Sequence, residues 1–214
     1  VSGNIIIVHL VNMEGIEQRR AAGMPQDNKN ILRVFPGDKN GTISDKIAHV
    51  ITTELISKAD YYFDIHGGDL HEELIPHIYY PAKAKKEVVN KCKEIAKHFN
   101  LAYYAKPNNI HGTFTSAAVN KDIPSLLIER GGCGLCQEEE VNLYKDDMLN
   151  ILSLLNMIEY KRCHKDFTPE EIKYAIYLDA VKDGCWTCFV DAGQSVKKGD
   201  KLGVICDYFG NIID

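Results

Sequence analysis

The sequence predicts an α/β protein in which a mixed, mostly parallel sheet is flanked by helices and followed by a small β-rich unit. Three observations predict it. Short apolar runs alternate with segments of helical period from the first residues to about Ile158, the grammar of strands covered on both faces by crossover helices. Two of those runs end on a polar residue followed by paired glycines, Asp64-Ile65-His66-Gly67-Gly68 and Ile128-Glu129-Arg130-Gly131-Gly132. After about Arg162 the helical period disappears, and short strand-like stretches punctuated by Gly184, Gly193, Gly199, Gly203 and Gly210 take over.

The run Ile5-Ile6-Ile7-Val8-His9-Leu10-Val11 reads as a buried strand inside the sheet. Asn12 to Gly41 has no sustained period and carries glycine and proline throughout, a long loop of the kind that is usually functional. Thr42-Ile43-Ser44-Asp45 offers a cap to a helix with Ile47, Val50, Ile51 and Leu55 on one side. Tyr61 to His66 is a strand, Ile78 to Tyr80 a shorter one, and Val88, Cys92, Ile95 and Phe99 form the stripe of the next helix. Leu101 to Tyr104 and Ser125 to Glu129 are further strands, with a short helix around Thr113 to Val119 between them. The last helix spans Glu138 to Ile158 with Val141, Tyr144, Met148, Leu152 and Leu155 on one side. The expected division is an α/β domain over residues 1–160 and a partial β-rich, barrel-sandwich-like unit over 161–214. Both ends of the chain read as cut through an element, so a piece of a longer protein is expected, and an open strand edge would favour a homo-oligomer.

The 214 residues suffice for one domain with a proper core and something smaller. Thirty acidic against 25 basic side chains leave a net charge of −5, which gives no electrostatic footprint for nucleic acid. No apolar run is long enough to span a bilayer. Seven cysteines, an odd number without framework spacing, fit a reducing compartment, and a cytoplasmic protein is expected.

In an open α/β sheet ligands gather beyond the carboxyl ends of the strands. His66 and Glu129 both stand at such ends, and Arg33, held by Phe35-Pro36-Gly37, could grip a carboxylate or polarise a carbonyl. Taken together and in order, Arg33-Val34-Phe35-Pro36-Gly37, the Gly41-Thr42 helix opening, Asp64-Ile65-His66-Gly67-Gly68 and Glu129-Arg130-Gly131 resemble the aspartoacylase and succinylglutamate desuccinylase branch of the zinc carboxypeptidases. The resemblance runs from about Asn4 to Ile158, and the β-rich tail resembles the family's appended barrel. It implies a zinc-carboxypeptidase-like fold and a zinc-dependent deacylase that cleaves the amide bond of an N-acyl amino acid or a similar small carboxylate-bearing amide. By position, His66 would be the third zinc ligand and Glu129 the general base that deprotonates the zinc-bound water and protonates the leaving nitrogen. Arg33, with Asn30 and His111, would contact substrate.

Two departures stand against the family pattern. No His-x-x-Glu motif, the source of the first two ligands, lies before His66, and Leu32 replaces the family's Asn immediately before the Arg, with Asn30 nearby. A non-catalytic binding or structural module that keeps the peptidase fold without a complete metal site is the alternative expectation.

Other motifs leave their readings open. Cys133-Gly-Leu-Cys136 and Cys185-Trp-Thr-Cys188 could share a structural zinc, the first pair could be redox-active, or all four could be free thiols. His71, His77, His111 and His164 are candidate replacement ligands, His71 and His77 in what reads as a polar lid. Gly193 to Gly203 resembles the turn of biotinyl and lipoyl carrier domains, but Asp207-Tyr208-Phe209-Gly210 stands where a carrier would need its lysine.

Overall fold

The computed structural model describes residues 1–20, 22–107, 112–161 and 169–214. Its elements in chain order are α1 (Met13–Glu17), α2 (Ile43–Val50), β1 (Tyr62–His66), β2 (His77–Tyr79), α3 (Lys86–Ala96), β3 (Tyr103–Ala105), α4 (Thr113–Lys121), β4 (Ser125–Glu129), α5 (Glu138–Leu154), β5 (Glu170–Ile172), β6 (Cys185–Cys188) and β7 (Gly203–Cys206). Five strands form one mixed sheet in the order β1-β4-β2-β3-β5. β4 runs parallel to β1 and antiparallel to β2, while β3 is parallel to both β2 and β5. The mostly parallel sheet flanked by helices is the expected class. β6 and β7 form a separate antiparallel ladder, extended by a bridge between Cys206 and Ile212.

Side-chain alternation divides the labour of the two sheet faces. Phe63, Leu126, Ile128, Ile78 and Tyr104 point one way and join the main core with Val88, Cys92, Ile95 and Ala96 of α3 and Ile151 of α5. Tyr62 points the other way and packs with Phe35, Ala48, Ile56, Ala117 and Ile123 in a second cluster beneath α2 and α4. The same face carries Asp64, His66, Glu129, His77 and Tyr79, because residues paired in register across adjacent strands share a side.

The helix opening at Thr42 is a capping box, with Thr42 and Asp45 satisfying each other's orphan backbone groups. The helical path continues past α2 through wider and tighter turns to Lys58. Within the expected long loop, Ile31–Val34 makes a 3-10 turn capped by the Asn30 side chain, which accepts from the Leu32 amide. Gly37 follows with φ +85°, and a Cβ there would lie 2.1 Å from the His49 amide nitrogen, so only glycine lets this turn rest on α2. Asp27 binds the loop to the start of α2, accepting from the Ser44 amide and hydroxyl at 2.9 and 2.7 Å and from the Thr42 hydroxyl at 2.6 Å.

Two expectations are corrected. Residues 5–11 are not a strand of the sheet: no ladder bond reaches them among the described residues, and Ile6 and Ile7 are 64% and 70% exposed. Their composition suits a strand, but a strand exists only through a neighbour's amides and carbonyls. The stripe of α5 is also shifted. Tyr144, Met148, Leu154 and Leu155 pack against Ile151 and its neighbours, whereas Val141 is 52% exposed. The 3- and 4-residue steps that reach the core run through Ile151.

The shift makes room for polar residues on the inner side of α5. Arg130, just past β4, is 3% exposed and donates to Asp147 at 2.8 Å, a carboxylate wholly removed from solvent. Asp147 also accepts from the Asn100 amide at 2.7 Å. The guanidinium lies over the Tyr144 ring, and the Tyr144 hydroxyl donates to the carbonyls of His66 and Ile128. α5 therefore grips the carboxyl ends of β1 and β4 together. At the other edge Glu171 of β5 accepts from Lys93 at 2.9 Å and from the Tyr80 hydroxyl, tying the last strand to α3. Among the described residues no helix is long and apolar enough to cross a membrane.

Two outcomes are expected. Asp147→Ala leaves the Arg130 guanidinium buried without its main partner and should lower unfolding stability by about 3–5 kcal/mol, against under about 1 kcal/mol for Glu140→Ala, whose carboxylate is more exposed and 3.5 Å away; urea unfolding compares them. The second concerns acid. Burial pushes the Asp27 carboxyl up, but hydrogen bonds from Thr42, Ser44 and Lys29 outweigh it, while Lys29 and Thr42 hold Asp45 down. With folded values below the unfolded value of about 3.9, the contribution is complete above that pH and is lost as pH falls through the depressed values. Thermal melts from about pH 5 to about pH 2 should fall less steeply in Asp27→Asn, which starts from a lower neutral-pH stability.

Candidate active site

β1 and β4 are parallel and in register, Tyr62 against Ser125 through His66 against Glu129. The two polar residues that end these strands are therefore neighbours. His66 Nδ1 lies 3.8 Å from Glu129 Oε1, and His66 Nε2 lies 3.2 Å from Asp64 Oδ1, two residues back on the same strand face. The side chains are partly buried: 28% exposed for His66, 17% for Glu129 and 16% for Asp64.

Glycines allow the two following loops to cross above this pair. The Gly68 amide donates to the Gly131 carbonyl at 3.0 Å, the Arg130 amide to the His66 carbonyl at 3.3 Å, and the Cys133 amide to the Glu72 carbonyl at 3.0 Å. A Cβ at Gly132 would meet the Glu72 carbonyl oxygen at 2.3 Å, so a larger residue would force the loops apart. The crossing brings Asp69 and Glu72 into the field of Glu129.

The electrostatics follow from this crowding. Burial pushes the Glu129 carboxyl up to about 7; His66 opposes the rise, and Glu72, Asp64 and Asp69 add to it. For His66, burial works to lower the imidazole, but the Asp64 hydrogen bond and the charges of Asp64, Glu129 and Asp69 outweigh it and raise the net value. Three carboxyl groups thus act on the imidazole and a fourth, Glu72, acts on Glu129, while Asp64 Oδ2 is buried without a hydrogen-bond partner among the described residues.

That arrangement suits a cation in charge. His66 is a zinc-type donor, and Asp64 on its far nitrogen is the orienting carboxylate usual behind a ligating histidine. In number the donors fall short: among the described residues no three His, Cys, Asp or Glu side chains gather in a way that could hold a metal ion. A shared site for the two Cys-x-x-Cys pairs is thereby excluded among them, and their four thiols are free.

The other expected site residues are placed differently. Arg33 lies on the 3-10 turn with an exposed guanidinium, and no hydrogen bond or ion pair connects it to His66 or Glu129. Asn30 spends its side-chain oxygen on capping that turn. His111 and His164 lie outside the described residues. His71 is in the loop after β1, as expected, but His77 belongs to β2 and is the register partner of Glu129 from the antiparallel side. Its Nδ1 is engaged by the Ile75 carbonyl at 2.8 Å, and its ring meets Tyr79 edge-on at 4.7 Å. His66, Glu129 and His77 consequently form a row across three strands. The alternation His77-Ile78-Tyr79 around a buried Ile78 is the signal that could have placed His77 on the strand.

Tyr79 was also missed. Burial raises its phenol to about 12, with Tyr177 of the C-terminal segment and Glu129 pushing the same way. Arg130 and Tyr144, which hold the strand ends, carried no local sign of their roles.

Comparison with known proteins agrees with this frame. Residues 1–155 match the model of the succinylglutamate desuccinylase/aspartoacylase catalytic domain. The N-alpha-acetyl-L-2,4-diaminobutyric acid deacetylase of Halomonas elongata is 27% identical over 188 residues, which cover 87% of this chain and 53% of that protein. The crystal structure of a succinylglutamate desuccinylase/aspartoacylase from Rhodobacter sphaeroides superposes with a TM-score of 0.81 at 26% identity, over 92% of this chain and 61% of that one. The product-bound ectoine utilization protein EutE (DoeB) of Ruegeria pomeroyi shares the fold, with a TM-score of 0.85 at 22% identity over 94% and 62% of the two chains. The chain spans about half the length of the curated relative it matches. With the family model covering most of its length and the strand-end His66 and Glu129 side by side, the chain belongs to the succinylglutamate desuccinylase/aspartoacylase catalytic-domain family.

Proposed function

We propose that the protein carrying this chain is a zinc-dependent hydrolase that cleaves the amide bond of an N-acyl amino acid or a similar small carboxylate-bearing amide. The observation that carries the reading is the His66–Glu129 pair at the carboxyl edge of the sheet, backed by Asp64 on the other side of the imidazole. The family match and the deacetylase relative support the reaction class.

Each residue then has a role that its surroundings support. Asp64 accepts from Nε2 of His66, which leaves Nδ1, on the Glu129 side, with the lone pair that a metal ligand needs. His66 would hold zinc together with ligands from outside the described residues, and the ion would supply Lewis-acid polarisation of the amide carbonyl. Glu129, lifted to about 7, exchanges a proton near neutrality. It takes one from the attacking water as oxygen bonds to the carbonyl carbon, and returns it to the nitrogen as the carbon–nitrogen bond breaks. The exposed Arg33, which makes no ion pair among the described residues, is suited to the substrate carboxylate, with Asn30 and His111 as further contacts. The expected boundary near residue 160 lies too early, because β5 (Glu170–Ile172) joins the main sheet; the residues after it form, in this reading, a small unit of partial barrel-sandwich type around β6 and β7. Free thiols throughout the described chain support a cytoplasmic setting.

In the whole protein, Glu129→Gln should leave zinc content unchanged and lower turnover of a panel of N-acetyl and N-succinyl amino acids by about 10²–10⁴-fold, the usual worth of a positioned acid–base group. His66→Ala should lose the zinc itself. Turnover retained in Glu129→Gln would move the base elsewhere. Wild-type protein that neither takes up zinc nor hydrolyses any member of the panel would instead identify a binding module built on the peptidase fold.

A further inference from the structure

The β6–β7 ladder places two cysteines opposite each other. In the antiparallel register Cys185 faces Cys206, Trp186 faces Ile205, Thr187 faces Val204 and Cys188 faces Gly203. The Phe189 amide donates to the Leu202 carbonyl at 2.8 Å just beyond the ladder, which makes that pair a hydrogen-bonded one. Stepping two residues along each strand keeps the type, so Thr187/Val204 and Cys185/Cys206 are hydrogen-bonded pairs too. In agreement, the Ile205 amide and carbonyl turn outward to residues 213 and 214 rather than toward β6. Directly opposed residues leave the ladder on the same face, and in such a pair the Cα atoms lie about 5.5 Å apart, within the span that disulfides bridge.

Both thiols are free; Cys185 is exposed and Cys206 partly so. The remaining described cysteines have no comparable partner in this unit. Cys188 sits on the opposite face across from Gly203, and its thiol donates to the Val190 carbonyl at 3.0 Å. Cys92 is fully buried, engaged with Ser125 and pushed up to about 11, so it holds back from thiolate chemistry.

We propose that Cys185 and Cys206 form a reversible cross-strand disulfide when the protein meets a peroxide. One thiolate attacks hydrogen peroxide, breaking the O–O bond to give a sulfenic acid and releasing one water. The second thiol then attacks that sulfur, forming the S–S bond and expelling a second water. Two thiols are oxidised and one peroxide is reduced. Reversibility follows from the register. Cβ atoms in a hydrogen-bonded pair stand up to about 5.5 Å apart, wider than the approximately 3.8 Å that a relaxed disulfide prefers, so closure draws the strands together. A bridge formed under that tension is readily reduced by a small thiol such as glutathione. The oxidised form is a latch on the β6–β7 hairpin that does not depend on the hydrolase reading.

The test uses the full chain, treated with hydrogen peroxide, alkylated with N-ethylmaleimide, digested with trypsin without reduction and mapped by mass spectrometry. A cross-link should join the peptide holding Cys185 and Cys188 to the peptide holding Cys206, and dithiothreitol should abolish it. The cross-link should survive in Cys188→Ser and disappear in Cys185→Ser and in Cys206→Ser. A cross-link that persists in Cys185→Ser, or Cys206 that remains open to alkylation while Cys133 and Cys136 pair, would overturn the proposal. Circular dichroism of the three serine variants, each replacing a thiol with a hydroxyl of similar size, separates loss of the bridge from loss of the fold.

Discussion

Parallel, in-register pairing of β1 with β4 is the constraint on which the rest of the structure depends. It sets His66 beside Glu129, and a slip of one residue would send one of the two through the sheet to the apolar side. The same pairing decides which side chains fill the core. Phe63, Leu126 and Ile128 reach α3 and α5 only while Asp64, His66 and Glu129 face the other way. Site and core are two faces of a single register.

A register needs something to hold its ends, and here that is a polar network inside α5. The Tyr144 hydroxyl binds the carbonyls of both His66 and Ile128 where the strands finish, and the Arg130–Asp147 pair fixes the ring from beneath. Buried charge is a costly means of support, since both ions must leave water. What it provides is direction: three hydrogen-bonding side chains tie one helix to two strand ends and the Asn100 turn. Above the strands the glycine-lined crossing of the two loops supplies the complementary half of the clamp and brings Asp69 and Glu72 close to the site.

The concentration of carboxylates around one imidazole explains the behaviour of each. Glu129 rises because it is buried among like charges, and His66 rises because the same charges favour its cation. Neither effect belongs to a residue alone. The site is a field set by geometry, with a proton-exchanging acid and an oriented imidazole as its output, and it has the sign that a metal ion would require.

Much of this protein was legible without coordinates. Local periodicity determined β4 at Ser125–Glu129, the α5 start at Glu138, the Thr42 capping box and the placement of His66 and Glu129 at strand ends before glycines. These are properties of neighbouring residues, which pattern and turn chemistry encode directly. Tertiary structure alone decided the strand order and register, the row of His66, Glu129 and His77, the burial of Arg130 against Asp147, and the shift of the α5 stripe to Ile151. It also left residues 5–11 exposed although their composition suits a buried strand. In each case the deciding energy lies between segments far apart in the chain: a ladder needs a partner strand, and a buried ion needs its counter-ion. A one-dimensional pattern states what a segment can become, but not what it will meet.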